Sequence, residues 1–61
     1  MIIFQLRRER KKRNLTLKQL ADKVGTDLQA ISKYERGVKF PRPQMIIKLA
    51  NALECEVRDL F

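Results

Sequence analysis

The sequence predicts an all-α fold: one domain, residues 1–61, built of five short helices. Three observations predict it. Apolar residues recur at helical spacing in successive short windows. Residues that start and stop helices stand at the edges of those windows. Both prolines, Pro41 and Pro43, fall in one segment between windows.

The first helix is expected from about Ile3 to Arg13, with Ile2, Ile3, Leu6 and Arg10 on one face. Within it, "RRERKKR" is basic at six of seven positions, read mostly as a solvated face. Asn14 tolerates the left-handed conformation that closes a helix. The second helix opens on a capping box, Thr16 with Gln19, and a staple of Leu15 with Leu20. Its inward stripe is Leu20, Ala21 and Val24, and Gly25 ends it.

The third helix takes Thr26 or Asp27 as N-cap and runs to about Arg36, where Gly37 stops it. Ala30, Ile31 and Tyr34 share one side, with Glu35 beside them. Leu28, Gln29, Ser32, Lys33 and Arg36 share the other. "GVKFPRP" is irregular, and Pro43 suits a first helical position. The fourth helix, about Pro43 to Leu53, offers Met45, Ile46, Leu49, Ala50 and Leu53 to the core. A last helix, about Glu56 to Leu60, brings Val57, Leu60 and Phe61.

A domain this small buries only about 60% of the surface of its unfolded chain, so self-association would help it. One cysteine, Cys55, excludes an internal disulfide, and without histidine no Cys/His metal site assembles. Nothing offers a cofactor site or evident small-molecule substrate. The same inventory, lacking a carboxylate cluster or glycine-rich phosphate loop, argues against an enzyme. "MIIFQL" is too short for a signal-peptide core, and charge follows it instead of preceding it. No apolar run approaches a membrane span, so no membrane partner is expected and a cytoplasmic protein is.

The net charge is +7 and unevenly spread. Residues 1–42 carry 12 basic and 4 acidic side chains, a net of +8, and residues 43–61 carry 2 and 3, a net of −1. A polyanion would meet the front of the molecule, with nucleic acid favoured over anionic lipid.

The ordered set Leu15, Thr16, Leu20, Ala21, Val24, Gly25, Ile31, Glu35 and Gly37, with the later run "IIKLANAL…DLF", resembles the phage repressor and Cro (XRE-like) family of helix-turn-helix DNA-binding domains. The resemblance covers about Leu6 to Phe61 and implies a lambda-repressor-like fold with the helix-turn-helix at helices two and three. It implies that the third helix enters the major groove of double-stranded DNA and that the second rests its N-terminus on the backbone.

On that reading, Gln29 can bond adenine N6/N7, Ser32 a base or phosphate, and Lys33 guanine O6/N7 or a phosphate. Leu17 and Leu28 stand where the family often has polar residues. Leu28 can pack on a thymine methyl, and Leu17 can offer only its backbone N–H to phosphate; the two leucines can instead pack together. Asp27 caps its helix or accepts from cytosine N4. Phosphate contacts are expected from Lys18, Lys39 and Arg42, with Arg10 and Arg36 as further candidates. The family commonly pairs an arginine of the first helix with the glutamate of the third. Arg10 and Glu35 match those positions, and both fall on inward faces.

Phe40 is either a loop plug or a surface contact. Glu54 replaces the glycine usual after the fourth helix, and Cys55 takes an apolar position. The expected function is a sequence-specific transcriptional regulator, a repressor binding a pseudopalindromic operator as a homodimer. Val57, Leu60 and Phe61 serve either its dimer interface or its core. The alternative is an antitoxin-like or adaptor protein-interaction module on the same fold.

Overall fold

A computed structural model describes residues 4–61. Four α-helices and one 3-10 helix follow in order: α1 Leu6–Lys12, α2 Leu17–Val24, α3 Leu28–Arg36, α4 Pro43–Ala52, and the 3-10 helix Val57–Leu60. There is no strand among the described residues.

The caps read from the sequence are present. Thr16 Oγ1 accepts from Gln19 N at 3.0 Å, and Gln19 Oε1 accepts from Thr16 N at 2.8 Å. Asp27, rather than Thr26, caps α3, accepting from Ala30 N at 2.8 Å. All four α-helices then stop in the same way. A left-handed residue follows each, namely Asn14 (φ 56°), Gly25 (75°), Gly37 (76°) and Glu54 (53°). The next N–H returns to the last turn: Leu15 to Arg10 O, Thr26 to Ala21 O, Val38 to Lys33 O and Cys55 to Ala50 O. This is the Schellman closure, which satisfies carbonyls that a helix end would otherwise strand. Glu54 keeps the geometry in which a glycine is usual and bears the steric cost of its Cβ.

The core gathers one stripe from every element: Leu6 from α1, Leu20, Ala21 and Val24 from α2, Ile31 and Tyr34 from α3, Leu49 and Ala50 from α4, with Leu53, and Leu60 from the 3-10 helix. Leu6, Leu20, Ile31, Leu49, Leu53 and Leu60 are wholly buried. Each contributes about 1.5–3 kcal/mol relative to exposure, which makes them the chief support of so small a fold. Met45 and Ile46 are only partly buried at its edge.

Three expectations need correction. Helix α1 starts at Leu6, not Ile3, because Gln5 N–H donates to Leu60 O at 2.6 Å and holds residues 4 and 5 outside the helix. Ile2 and Ile3, expected on its inner face, lie outside the described residues. Helix α4 ends at Ala52 with Leu53 as its cap. The last element is a 3-10 helix of four residues, too short to repeat α-type bonds, so the described residues form four α-helices and not five.

Candidate nucleic-acid interface

Helices α2 and α3 pack together across the Gly25 turn, and α2 also packs on α4. Ile31 and Tyr34 fix α3 by its inner side, leaving the opposite side outward. Gln29 and Lys33 are exposed there, Leu28 is 41% exposed, and Ser32 is half-buried. Arg36 Nε donates to Ser32 Oγ at 3.1 Å, a link the sequence pattern did not suggest. It ties up one lone pair of Ser32 and leaves the hydroxyl proton to donate elsewhere.

Leu17 is half-buried and packs against the core, so its side chain is withdrawn from the surface while Leu28 stays out. The first intrahelical bond of α2 runs from Leu20 N to Thr16 O, and Thr16 Oγ1 satisfies Gln19 N. The N–H groups of Leu17 and Lys18 precede both and point out of the helix start, where an anion oxygen suits them. Lys18 Nζ reaches Asp22 at 3.4 Å, an exposed pair that a phosphate can outcompete.

The cations sort into two groups. Those of α1, Lys11 apart, lie within 4 Å of a carboxylate. Glu9, only 3% exposed, accepts from Arg8 at 3.0 Å and Arg13 at 3.1 Å and lies 3.3 Å from Lys12 Nζ. Burial pushes its carboxyl up, yet these cations outweigh burial and leave it below the usual carboxylate range. Arg8 also donates to Asp59 O at 2.9 Å, tying α1 to the 3-10 helix. Sequence reading missed Glu9 as an interior group, although its i, i+4 spacing to Arg13 was visible.

Glu35 anchors the second network. Arg10 Nε and Nη2 donate to its two oxygens at 2.6 and 3.1 Å, and Arg7 Nε donates at 3.1 Å. Arg10 Nη1 donates to Leu15 O at 2.7 Å. The bonds it donates to Glu35 raise the Arg10 pKa above its usual range against the opposing effect of burial. All three Arg10 nitrogens are therefore engaged inside the fold. Arg7, more than half exposed, is the guanidinium of this network that faces solvent.

No carboxylate lies within 4 Å of Lys11, Lys23, Lys33, Arg36, Lys39, Arg42 or Lys48 among the described residues. Most of these uncompensated cations stand on α3, the following loop and α4. Arg42 is the residue before α4, where Pro43 takes the first helical position and no side chain caps the start. Lys39 and Arg42 line a groove with Tyr34, Phe40, Gln44, Met45 and Lys48.

Phe40 is 55% exposed and meets two other rings. Its centroid lies 5.4 Å from Phe4 and 6.1 Å from Phe61, and Phe4 and Phe61 are 5.4 Å apart. Val57 and Phe61 are 42% and 45% exposed, whereas Leu60 is sealed in the core and presents nothing to a partner. Cys55 is half-buried beside the core, and burial pushes its thiol up. Among the described residues no group of three or more His, Cys, Asp or Glu gathers as for a metal ion, and no helix is long and apolar enough to cross a membrane.

The helix-turn-helix family matches residues 6–60 of the chain. The chain belongs to that family. Its helix-turn-helix is α2 and α3, and its fold is that of DNA-binding transcription regulators rather than of enzymes. It is 38% identical over 56 residues to the cryptic phage CTXphi transcriptional repressor RstR of Vibrio cholerae, covering 92% of this chain and 50% of the relative. The chain thus spans half the length of that curated relative.

Among solved structures, the restriction-modification controller protein C.AhdI from Aeromonas hydrophila superposes with a TM-score of 0.90 at 37% identity, over 93% of this chain and 83% of that one. The P22 c2 repressor in complex with a synthetic operator superposes at 0.85 with 32% identity, over 92% and 85%.

Proposed function

We propose that this chain is a sequence-specific double-stranded DNA-binding regulator of the cytoplasm, a repressor that occupies a pseudopalindromic operator as a homodimer. The observation that carries the reading is the outer side of α3. Gln29 and Lys33 stand exposed on it without side-chain partners among the described residues, and uncompensated Lys39 and Arg42 follow where α4 begins. Two polar readers on a helix held from behind, with cations beside it, form a device for base edges and flanking phosphates. The relative named as a transcriptional repressor and the operator-bound P22 c2 structure support the same reading.

Gln29, Ser32 and Lys33 read bases, and Leu28 packs on thymine methyls. The N–H groups of Leu17 and Lys18, with Lys39, Arg42 and Arg36, hold the backbone. Arg10 is a positioning residue through Glu35, and Arg7 is the solvent-facing member of that network. One domain reads a half-site. The dimer surface is the Phe4–Phe40–Phe61 cluster with Val57, since the three rings adjoin one another, Phe40, Phe61 and Val57 are exposed, and Leu60 is committed to the core.

Titration of operator and random duplexes across a salt series tests this. The operator is held about 10³-fold or more tighter at every salt concentration, while both affinities fall together. Equal binding to all duplexes overturns it.

A further inference from the structure

The helix-turn-helix leaves part of the positive surface unused. Lys48 lines the groove of Lys39 and Arg42 against α4. It also lines a second groove, between the end of α2 and α4, with Lys23, Val24, Asn51 and Ala52. Lys48 therefore joins the two grooves. No acidic side chain lines either one, and Lys23, Lys39, Arg42 and Lys48 all lack a carboxylate within 4 Å among the described residues. This contrasts with α1, where Arg7, Arg8, Arg10 and Lys12 share Glu9 and Glu35.

Glu9 and Glu35 thus hold the guanidinium groups of α1, while the four cations of the two grooves that meet at Lys48 stay bare. Such a set repels itself unless a polyanion meets it. Lys48 sits about 7.5 Å further along the α4 axis than Pro43, from the 1.5 Å rise per residue. That is more than two base-pair steps of about 3.4 Å. Val24, Ala52, Met45 and Phe40 give the groove walls apolar surface on which lysine stems can lie while their ammonium groups point out.

We propose that Lys48 and Lys23 continue the Lys39–Arg42 backbone contact as a phosphate track that holds the DNA flanking each half-site. The duplex then continues along α4 instead of leaving the protein at the first turn of that helix. The inference rests on the DNA-binding reading above and extends its footprint.

The test uses the full chain and two duplexes carrying one selected site. One ends at the site boundary, and the other continues by about one helical turn, 10 bp, on each side. The Lys23→Gln/Lys48→Gln variant replaces two exposed side chains, and its thermal melt checks that the fold is kept. It is expected to bind the trimmed duplex as the wild type does and the extended duplex several-fold more weakly. Its slope of log affinity against log salt on the extended duplex becomes shallower by about 1.8, or 0.9 for each phosphate that is no longer neutralised.

Wild-type affinity for both duplexes overturns the track, as does equal weakening on both, which would put the lysines inside the half-site contact. A wild-type chain that does not prefer the selected site over random duplex overturns the DNA-reading proposal itself, and the track with it.

Discussion

Arg10 grips Glu35 with two nitrogens, Nε at 2.6 Å and Nη2 at 3.1 Å, and with its third holds the Leu15 carbonyl at 2.7 Å. One guanidinium therefore joins α1, the approach to α2 and the end of α3. The Glu35 side chain is 1% exposed and that of Arg10 is 10% exposed. Deleting one partner strands a buried charge, at a cost of about 3–5 kcal/mol. Against the roughly 5–15 kcal/mol that holds a small domain together, that is a large share. Glu35→Ala is expected to lower the urea midpoint accordingly. A loss below about 0.5 kcal/mol, as for an exposed pair, contradicts this role. Arg10→Lys keeps the charge but not the fork, and is expected to rescue only part.

Glu9 sets a pH dependence. Its carboxyl lies below the usual 4.5 because Arg8, Lys12 and Arg13 outweigh the opposing effect of burial. The unfolded chain therefore takes up that proton before the folded one does. The contribution of Glu9 is fully present above its unfolded value and is lost as pH falls through the lower folded one. Unfolding of wild type and Glu9→Gln should differ most near neutral pH, with the gap narrowing below about 4.5. A constant gap would assign the effect to packing.

Base reading and backbone holding separate by mutation. Gln29→Ala and Lys33→Ala are expected to relax preference at single operator positions, each by about 1–3 kcal/mol of discrimination. Lys39→Ala is expected to weaken all sequences alike and to reduce the salt slope. Binding measured on a panel of single-base operator variants distinguishes them. Uniform weakening by all three would place the reading face elsewhere.

The aromatic cluster concerns assembly. Phe61→Asp puts a charge beside Phe4 and Phe40 at an exposed position. It is expected to abolish cooperative occupation of a two-half-site operator in gel-shift titrations while leaving single half-site affinity intact. Preserved cooperativity would remove the cluster from the dimer surface.

Glu54 holds φ at 53°, where a side chain costs about 1–2 kcal/mol and glycine nothing. Part of that gain returns as glycine's greater unfolded freedom, about 0.5–1 kcal/mol. Glu54→Gly is expected to raise the thermal midpoint, with a net gain of up to about 1.5 kcal/mol. A lower midpoint would mean that the Glu54 side chain supports the turn.

The helix-turn-helix was the most legible part of the chain, because its signals are local. Thr16, Gln19, Asp27, Gly25 and Gly37 mark boundaries through bonds spanning a few residues. What escaped depends on distant partners. Helix α1 starts late because of Leu60, 55 positions along the chain from Gln5. Glu9 is interior in a helix that lies against both α3 and the 3-10 helix. Phe40 could not be assigned from its own neighbourhood, since Phe4 and Phe61 come from opposite ends of the sequence. On the reading side, the helical period separated Gln29 and Lys33 from Ile31 and Tyr34. It was silent on the side chains themselves: Arg36 bonds Ser32, and Leu17 turns inward while Leu28 does not.

The central claim is that the outer side of α3 reads base sequence for a symmetric pair of domains. Selection of bound duplexes from a random library by the full chain tests it most directly. The account predicts a palindromic consensus with half-site centres about 34–36 Å apart, or a multiple of that. A bound pool with no enriched sequence contradicts it.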